Sequence, residues 1–137
     1  INYHIYGSPK YLEKNGFPKS TSDLNKHSFI SFGRGAPSPV YNPDWALKLG
    51  TKDNKKSKTV MKVNSVYGLL LAVQSGVGLA ALPDYITVNQ PNIVKVLPNI
   101  EGPITEAHFV YPQSMKNVAR VQAFRNFLYS KISEWEF

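Results

Sequence analysis

The apolar positions change period several times along the chain, and each change marks an element. Residues 2–6 alternate as a short strand does. Ser8-Pro9 then sets an N-cap hydroxyl before a proline at the first helical position, with Tyr11 and Leu12 as apolar contacts and Gly16 as terminator. Residues 20–22 open a second short helix carrying Asp23-Leu24, an acid in the first turn where the helix dipole favours it. Residues 29–32 form a compact buried strand, broken by Gly33-Arg34-Gly35. Prolines 37 and 39 exclude a central strand over residues 36–42. Residues 45–49 and 58–63 read as two strands joined by a lysine-rich tip.

The most informative stretch follows. Asn64-Ser65 stands between a strand and the run Val66-Tyr67-Gly68-Leu69-Leu70-Leu71-Ala72-Val73, apolar nearly all round and therefore expected as a buried helix. Gly76 suits its left-handed terminus. Gly78-Leu79-Ala80-Ala81-Leu82 then runs without polar alternation, as a strand covered on both faces does. Strand, helix and strand in this order make a βαβ crossover, the unit of a parallel sheet. Pro83-Asp84 opens a short turn through Val88, and residues 93–97 and 104–111 read as further strands, the last with Ala107, Phe109 and Tyr111 on one face. A helix from about Asn117 carries the stripe Val121, Phe124, Leu128, Ile132 and Trp135. The fold class is α/β.

Composition narrows the chemistry. The 137 residues suit one domain, and 42% hydrophobic with 18% charged residues suits a globular chain. There is no cysteine, which excludes disulfides, thiolate metal sites and cysteine nucleophiles and agrees with a reducing compartment. No apolar run approaches the ~18 residues of a membrane helix. The chain opens at Ile1 without a charged segment and apolar core, so no export signal is read and a fragment is expected. The net charge is +7, part of it from Lys52, Lys55, Lys56, Lys58 and Lys62. These lysines read as a solvated tip; nucleic-acid binding through them is the competing reading, without interleaved aromatic residues to stack bases.

Open α/β sheets bind ligands beyond the carboxyl ends of their strands. Three such ends stand out: Ser31-Phe32-Gly33-Arg34, Asn64-Ser65-Val66 and Leu82-Pro83-Asp84. At the second, free backbone N–H groups and the helix dipole favour an anion, to which Arg34 could add a bidentate contact. The plainer alternative is that Asn64 and Ser65 only cap a helix and Arg34 is exposed. The catalytic inventory is thin. His4, His27 and His108 lie in unrelated segments without metal-ligand spacing, and no nucleophile elbow, phosphate loop or paired carboxylate is present. No metal, cofactor or enzymatic activity is expected.

Several segments in order are similar to the LysR-type transcriptional regulators. They are Ser8-Pro9-Lys10-Tyr11-Leu12, Gly16-Phe17-Pro18-Lys19, Asp23-Leu24-Asn25-Lys26-His27, Phe29-Ile30-Ser31-Phe32, a tryptophan strand at Trp45, and Val63-Asn64-Ser65. Gly76-Val77-Gly78-Leu79-Ala80-Ala81-Leu82-Pro83-Asp84-Tyr85 follows, then Val96-Leu97-Pro98, Val110-Tyr111-Pro112 and the last helix with Ala123-Phe124.

The resemblance implies a type 2 periplasmic-binding-protein-like effector domain, two α/β lobes with a small molecule in the cleft between them. Residues 7–105 would be a second lobe with a mixed, mainly parallel sheet. Residues 1–6 and 105–112 would carry crossover strands, and residues 106–137 would hold the returning strand and the terminal helix of an incomplete first lobe. The family's winged helix-turn-helix does not occur in the chain, so DNA would be read only by that absent domain. Homo-oligomers, a cytoplasmic location and no membrane contact are the further implications. By place in the family, Ser31, Phe32, Gly33, Asn64, Ser65, Val66, Leu82 and Pro83 fall on the cleft, with Arg34 beside them. A transport solute-binding protein of the same fold is the alternative.

Overall fold

The computed structural model describes residues 1–33, 44–51 and 57–134. Arg34, Trp135 and the lysine tip at 52–56 lie outside the described residues. Two compact units divide the chain, residues 1–105 and 106–137.

Among the described residues, unit 1 is built on five short strands. The strand β1 (Tyr3–Gly7) lies between β4 (Ala80–Pro83) and β5 (Val94–Val96), antiparallel to both. The strand β2 (Phe29–Phe32) pairs in parallel with β3 (Thr59–Val63), with a register shift between Phe29 and Ile30. A parallel bridge from Phe29 to Leu79 joins the two ladders, held by Ile30 N–H donating to Leu79 O at 2.8 Å and Leu79 N–H to Ser28 O at 2.9 Å. Among the described residues, four strands therefore run one way and β1 runs the other. The carboxyl ends of β2, β3 and β4 share an edge.

Side chains along the inner strands alternate between two cores, as period 2 demands. Tyr3, Ile5, Phe29 and Leu79 enter the first, with Tyr11 and Leu12 from α1 (Pro9–Asn15), Leu24 from a 3-10 turn at Thr21–Lys26, and Trp45, Ala46 and Leu47 from α2 (Trp45–Lys48). Tyr6, Ile30, Ala80 and Leu82 enter the second, under Leu69, Leu70, Ala72 and Val73 of α3 (Val66–Gln74). Burying each such large side chain contributes roughly 1.5–3 kcal/mol.

The caps read from the sequence are present. Ser8 Oγ accepts from Tyr11 N–H at 3.3 Å ahead of Pro9, and Gly16 closes α1 at φ 87°. Ser65 Oγ accepts from Gly68 N–H at 3.3 Å, and Gly76 follows α3 at φ 80°.

Three expectations are corrected. Residues 45–49 are not a strand: three consecutive buried side chains leave no alternation, and the backbone turns so that Leu47 N–H donates to Asp44 O at 3.1 Å. The lysine tip therefore does not join two strands. The helix α3 is not buried all round, because Tyr67 and Leu71 are 66% and 62% exposed on the side away from the sheet. Residues 104–111 form no strand: Thr105 N–H donates to Ile1 O, but no ladder continues from it, and Ile104 and Val110 stay exposed.

Unit 2 centres on α4 (Ala119–Ser133), which buries no residue. The Phe109 ring meets Phe124 edge-on at 5.5 Å and Tyr111 at 5.4 Å. Phe124 and Ile132 of the expected stripe are half exposed, as are Phe127 and Tyr129 beside them.

Two predictions follow from unit 1. A Cβ on Gly78 would stand 2.5 Å from Ser28 O, whereas one on Gly33 meets nothing closer than 3.7 Å. In urea denaturation Gly78→Ala should lose about 1–3 kcal/mol and Gly33→Ala much less; equal effects would contradict the close join at Ser28. His27 is buried against Tyr11, its Nδ1 without a partner among the described residues, and burial holds its pKa below the ordinary value. The unfolded chain therefore takes up the proton first as pH falls below about 6.5, and stability drops from there down to the folded pKa. His27→Gln should flatten the stability change between about pH 7.5 and that lower limit, measured by the same denaturation.

Candidate functional site

Where the carboxyl ends of β2 and β4 meet α2 and the first turn of α3, the two cores do not close on each other. A cavity of about 30 Å³ remains, lined by Tyr3, Phe29, Ile30, Ser31, Phe32, Trp45, Ala46, Leu47, Val66, Leu69, Ala81 and Pro83. That is space for about two waters. Four of the nine sequence-predicted residues line it: Ser31, Phe32, Val66 and Pro83. Ser31 is buried and Phe32 half-buried.

The other predicted residues sit elsewhere. Leu82 points to the opposite face of β4 and is a fully buried member of the second core. Ser65 caps α3 with its hydroxyl, and Asn64 is exposed beside it. Gly33 ends β2, its N–H donating to Val63 O at 2.9 Å, and lies against Asn64. Arg34 is outside the described residues. The alternation of β4 decides that Pro83, not Leu82, lines the cavity.

The polar groups at the cavity are few. Burial raises the pKa of the Tyr3 phenol, so it stays protonated at neutral pH. Trp45 is buried, and its Nε1 has no hydrogen-bond partner among the described residues. No charged side chain lines the cavity among the described residues.

Directly behind Pro83 stands a charged cluster the sequence reading did not assemble. The buried Asp84 carboxylate accepts from His4 Nδ1 at 2.8 Å and 2.9 Å, from Tyr6 OH at 2.9 Å and from Lys95 Nζ at 3.3 Å. Thr87 Oγ1 donates to Tyr6 OH at 3.1 Å. Burial, with the neighbouring carboxylate adding to it, drives the Tyr6 phenol well above its ordinary pKa. The Asp84 N–H donates to Asn2 O at 3.0 Å, so backbone and side chain of one residue both hold β1. The signal available beforehand was the pair His4 and Tyr6 on one face of β1. The register that sets His4 opposite Leu82 was not legible.

The chain as a whole is similar to known proteins. The LysR substrate binding domain family matches residues 2–132. An uncharacterized HTH-type transcriptional regulator of Haemophilus influenzae is 30% identical over 113 residues, covering 80% of this chain and 38% of that protein. A second, YhjC of Escherichia coli, is 27% identical over 135 residues, covering 93% of this chain and 44% of that protein. The chain therefore spans less than half the length of either. Among solved structures, the regulatory domain of CrgA, a LysR-type transcriptional regulator from Neisseria meningitidis, superposes with a TM-score of 0.70 at 23% identity over 95% of this chain and 64% of that one. The effector domain of AmpR from Pseudomonas aeruginosa gives 0.66 at 19% identity, over 93% and 59%. At these identities the likeness is one of fold, a periplasmic-binding-protein-like one.

Removing the carboxylate strands His4 and Tyr6 in the interior. Asp84→Ala should lose about 3–5 kcal/mol in urea denaturation; a loss under about 1 kcal/mol, the size expected of an exposed pair, would show that the cluster does not hold β1.

Proposed function

Because the chain belongs to the LysR substrate binding domain family, we propose that it is the effector-binding part of a bacterial LysR-type transcriptional regulator, a binding domain and not an enzyme. The observation that carries this reading is the cavity at the shared carboxyl edge of β2 and β4, where a sheet of this class takes its ligand. Residues 7–105 act as one lobe and residues 1–6 and 105–112 as crossovers, and the last helix belongs to an incomplete first lobe. The effector is a small anionic metabolite. Support for its charge comes from the first turn of α3, whose Val66 lines the cavity and whose free N–H groups favour an anion.

The mechanism is population shift. An effector that fits the closed cleft better than the open one biases closure by that difference in affinity and by nothing else. Closure re-spaces the subunits of a homo-oligomer and with them the attached DNA-reading domains, in the cytoplasm. The names of the curated relatives, both transcriptional regulators, support regulation over solute transport.

The full-length regulator should respond to short mono- and dicarboxylates, tested as a panel from acetate to octanoate and from malonate to adipate. At least one should raise Tm saturably, by an amount equivalent to about 2.7 kcal/mol at one hundred times its Kd, and Phe32→Ala should weaken it tenfold or more. No saturable shift from any member, or a shift that Phe32→Ala leaves unchanged, would overturn the reading.

A further inference from the structure

Resting on that reading, we propose that the effector is an aliphatic monocarboxylate bound tail first, with the end of its alkyl chain in the cavity and its carboxylate outside. Three observations carry this. Of the residues lining the cavity, Tyr3 and Ser31 alone carry a hydroxyl, and none is charged among the described residues. Burial already pushes the Tyr3 phenol up, so these surroundings penalise a negative charge. The space is about 30 Å³, room for about two waters and so for about two or three carbons of a chain.

The lining has a closed side and an open one. Phe29, Ile30, Ala46, Leu47 and Leu69 are buried, whereas Phe32, Val66 and Ala81 are half-buried, so among the described residues the opening lies by these three. They come from the end of β2, the first turn of α3 and β4. A chain end passing between them exchanges water for aromatic and aliphatic carbon, and each carbon buried tightens binding about fourfold. A carboxylate on the same path would give up its hydration with no counter-charge on the described walls, a loss larger than one carbon returns.

The selectivity follows from this asymmetry. Among monocarboxylates, affinity climbs with chain length until the cavity is full and then levels off, because further carbons stay in water. A dicarboxylate is charged at both ends, so either a charge is driven between apolar walls or the chain is left outside. Pentanoate and glutarate have equal numbers of carbons and differ at that one end, which makes them the sharpest pair in the panel.

The test is the Kd of each panel member for the full-length regulator, measured by calorimetry. From acetate upward the monocarboxylates should tighten about fourfold per carbon over about two or three carbons and then level off. Glutarate should bind roughly tenfold or more weakly than pentanoate. Ala81→Val, which sets a larger side chain on the wall, should bring the plateau about one carbon earlier and leave acetate unchanged, its unliganded Tm reporting that it folds; if it does not fold, the series on the native protein decides by itself. If glutarate matches pentanoate, if affinity ignores chain length, or if it rises without a plateau through octanoate, the tail-first assignment fails while the sensor reading stands. No saturable binding from any member overturns both.

Discussion

The whole of unit 1 hangs on the place where β2 meets β4. There the parallel pair β2–β3 and the three strands around β1 become one layer, through two hydrogen bonds between residues 28–30 and Leu79. The approach is possible because residue 78 has no side chain to stand in the way of Ser28. Since parallel strands share direction, this single join aligns the ends of β2, β3 and β4 on one edge. A helix start and a buried tryptophan are then brought to the same edge, and a cavity results from their meeting.

The second constraint acts on the opposite strand. β1 is fully buried and runs against its neighbours, and Asp84 anchors it from the turn just after β4. On one face of β1 lie His4 and Tyr6, bound to that carboxylate; on the other lies Tyr3, which lines the cavity. Pro83 lines the cavity as well and is the immediate neighbour of Asp84. The charged cluster and the apolar cavity are thus the two sides of the same pair of strands. A shift of β1 relative to β4 would disturb both together.

Much of this was legible in the sequence because local chemistry settled it. Ser8, Pro9 and Gly16, and Ser65 with Gly76, mark their helix ends whatever surrounds them. The order strand, apolar helix, glycine and strand gave the crossover. What failed depended on distant partners. Residues 45–49 and 104–111 are short apolar runs whose state is decided by whether a neighbouring strand is there to pair with, and periodicity alone is silent on that. Tyr67 and Leu71 look like core residues from composition, yet the sheet lies on the other side of α3. The strands β2, β3 and β4 end at Phe32, Val63 and Pro83, where the sequence sets them. Which residue of each end faces inward required the register, so Leu82 and Ser65 were named beside Pro83 and Val66, while Trp45 and Tyr3 were missed as cavity residues.

The two ladders form one cooperative layer through the Phe29–Leu79 join. Native-state hydrogen exchange measures this directly at the Ile30 and Leu79 amides, which make the bonds across it. Both should exchange only with the same free energy as the Ile5 amide in the middle of β1, that of global unfolding. If Ile30 and Leu79 exchange through a lower-energy opening while Ile5 stays protected, the ladders are separate and the shared edge, with its cavity, is not a built feature of the fold.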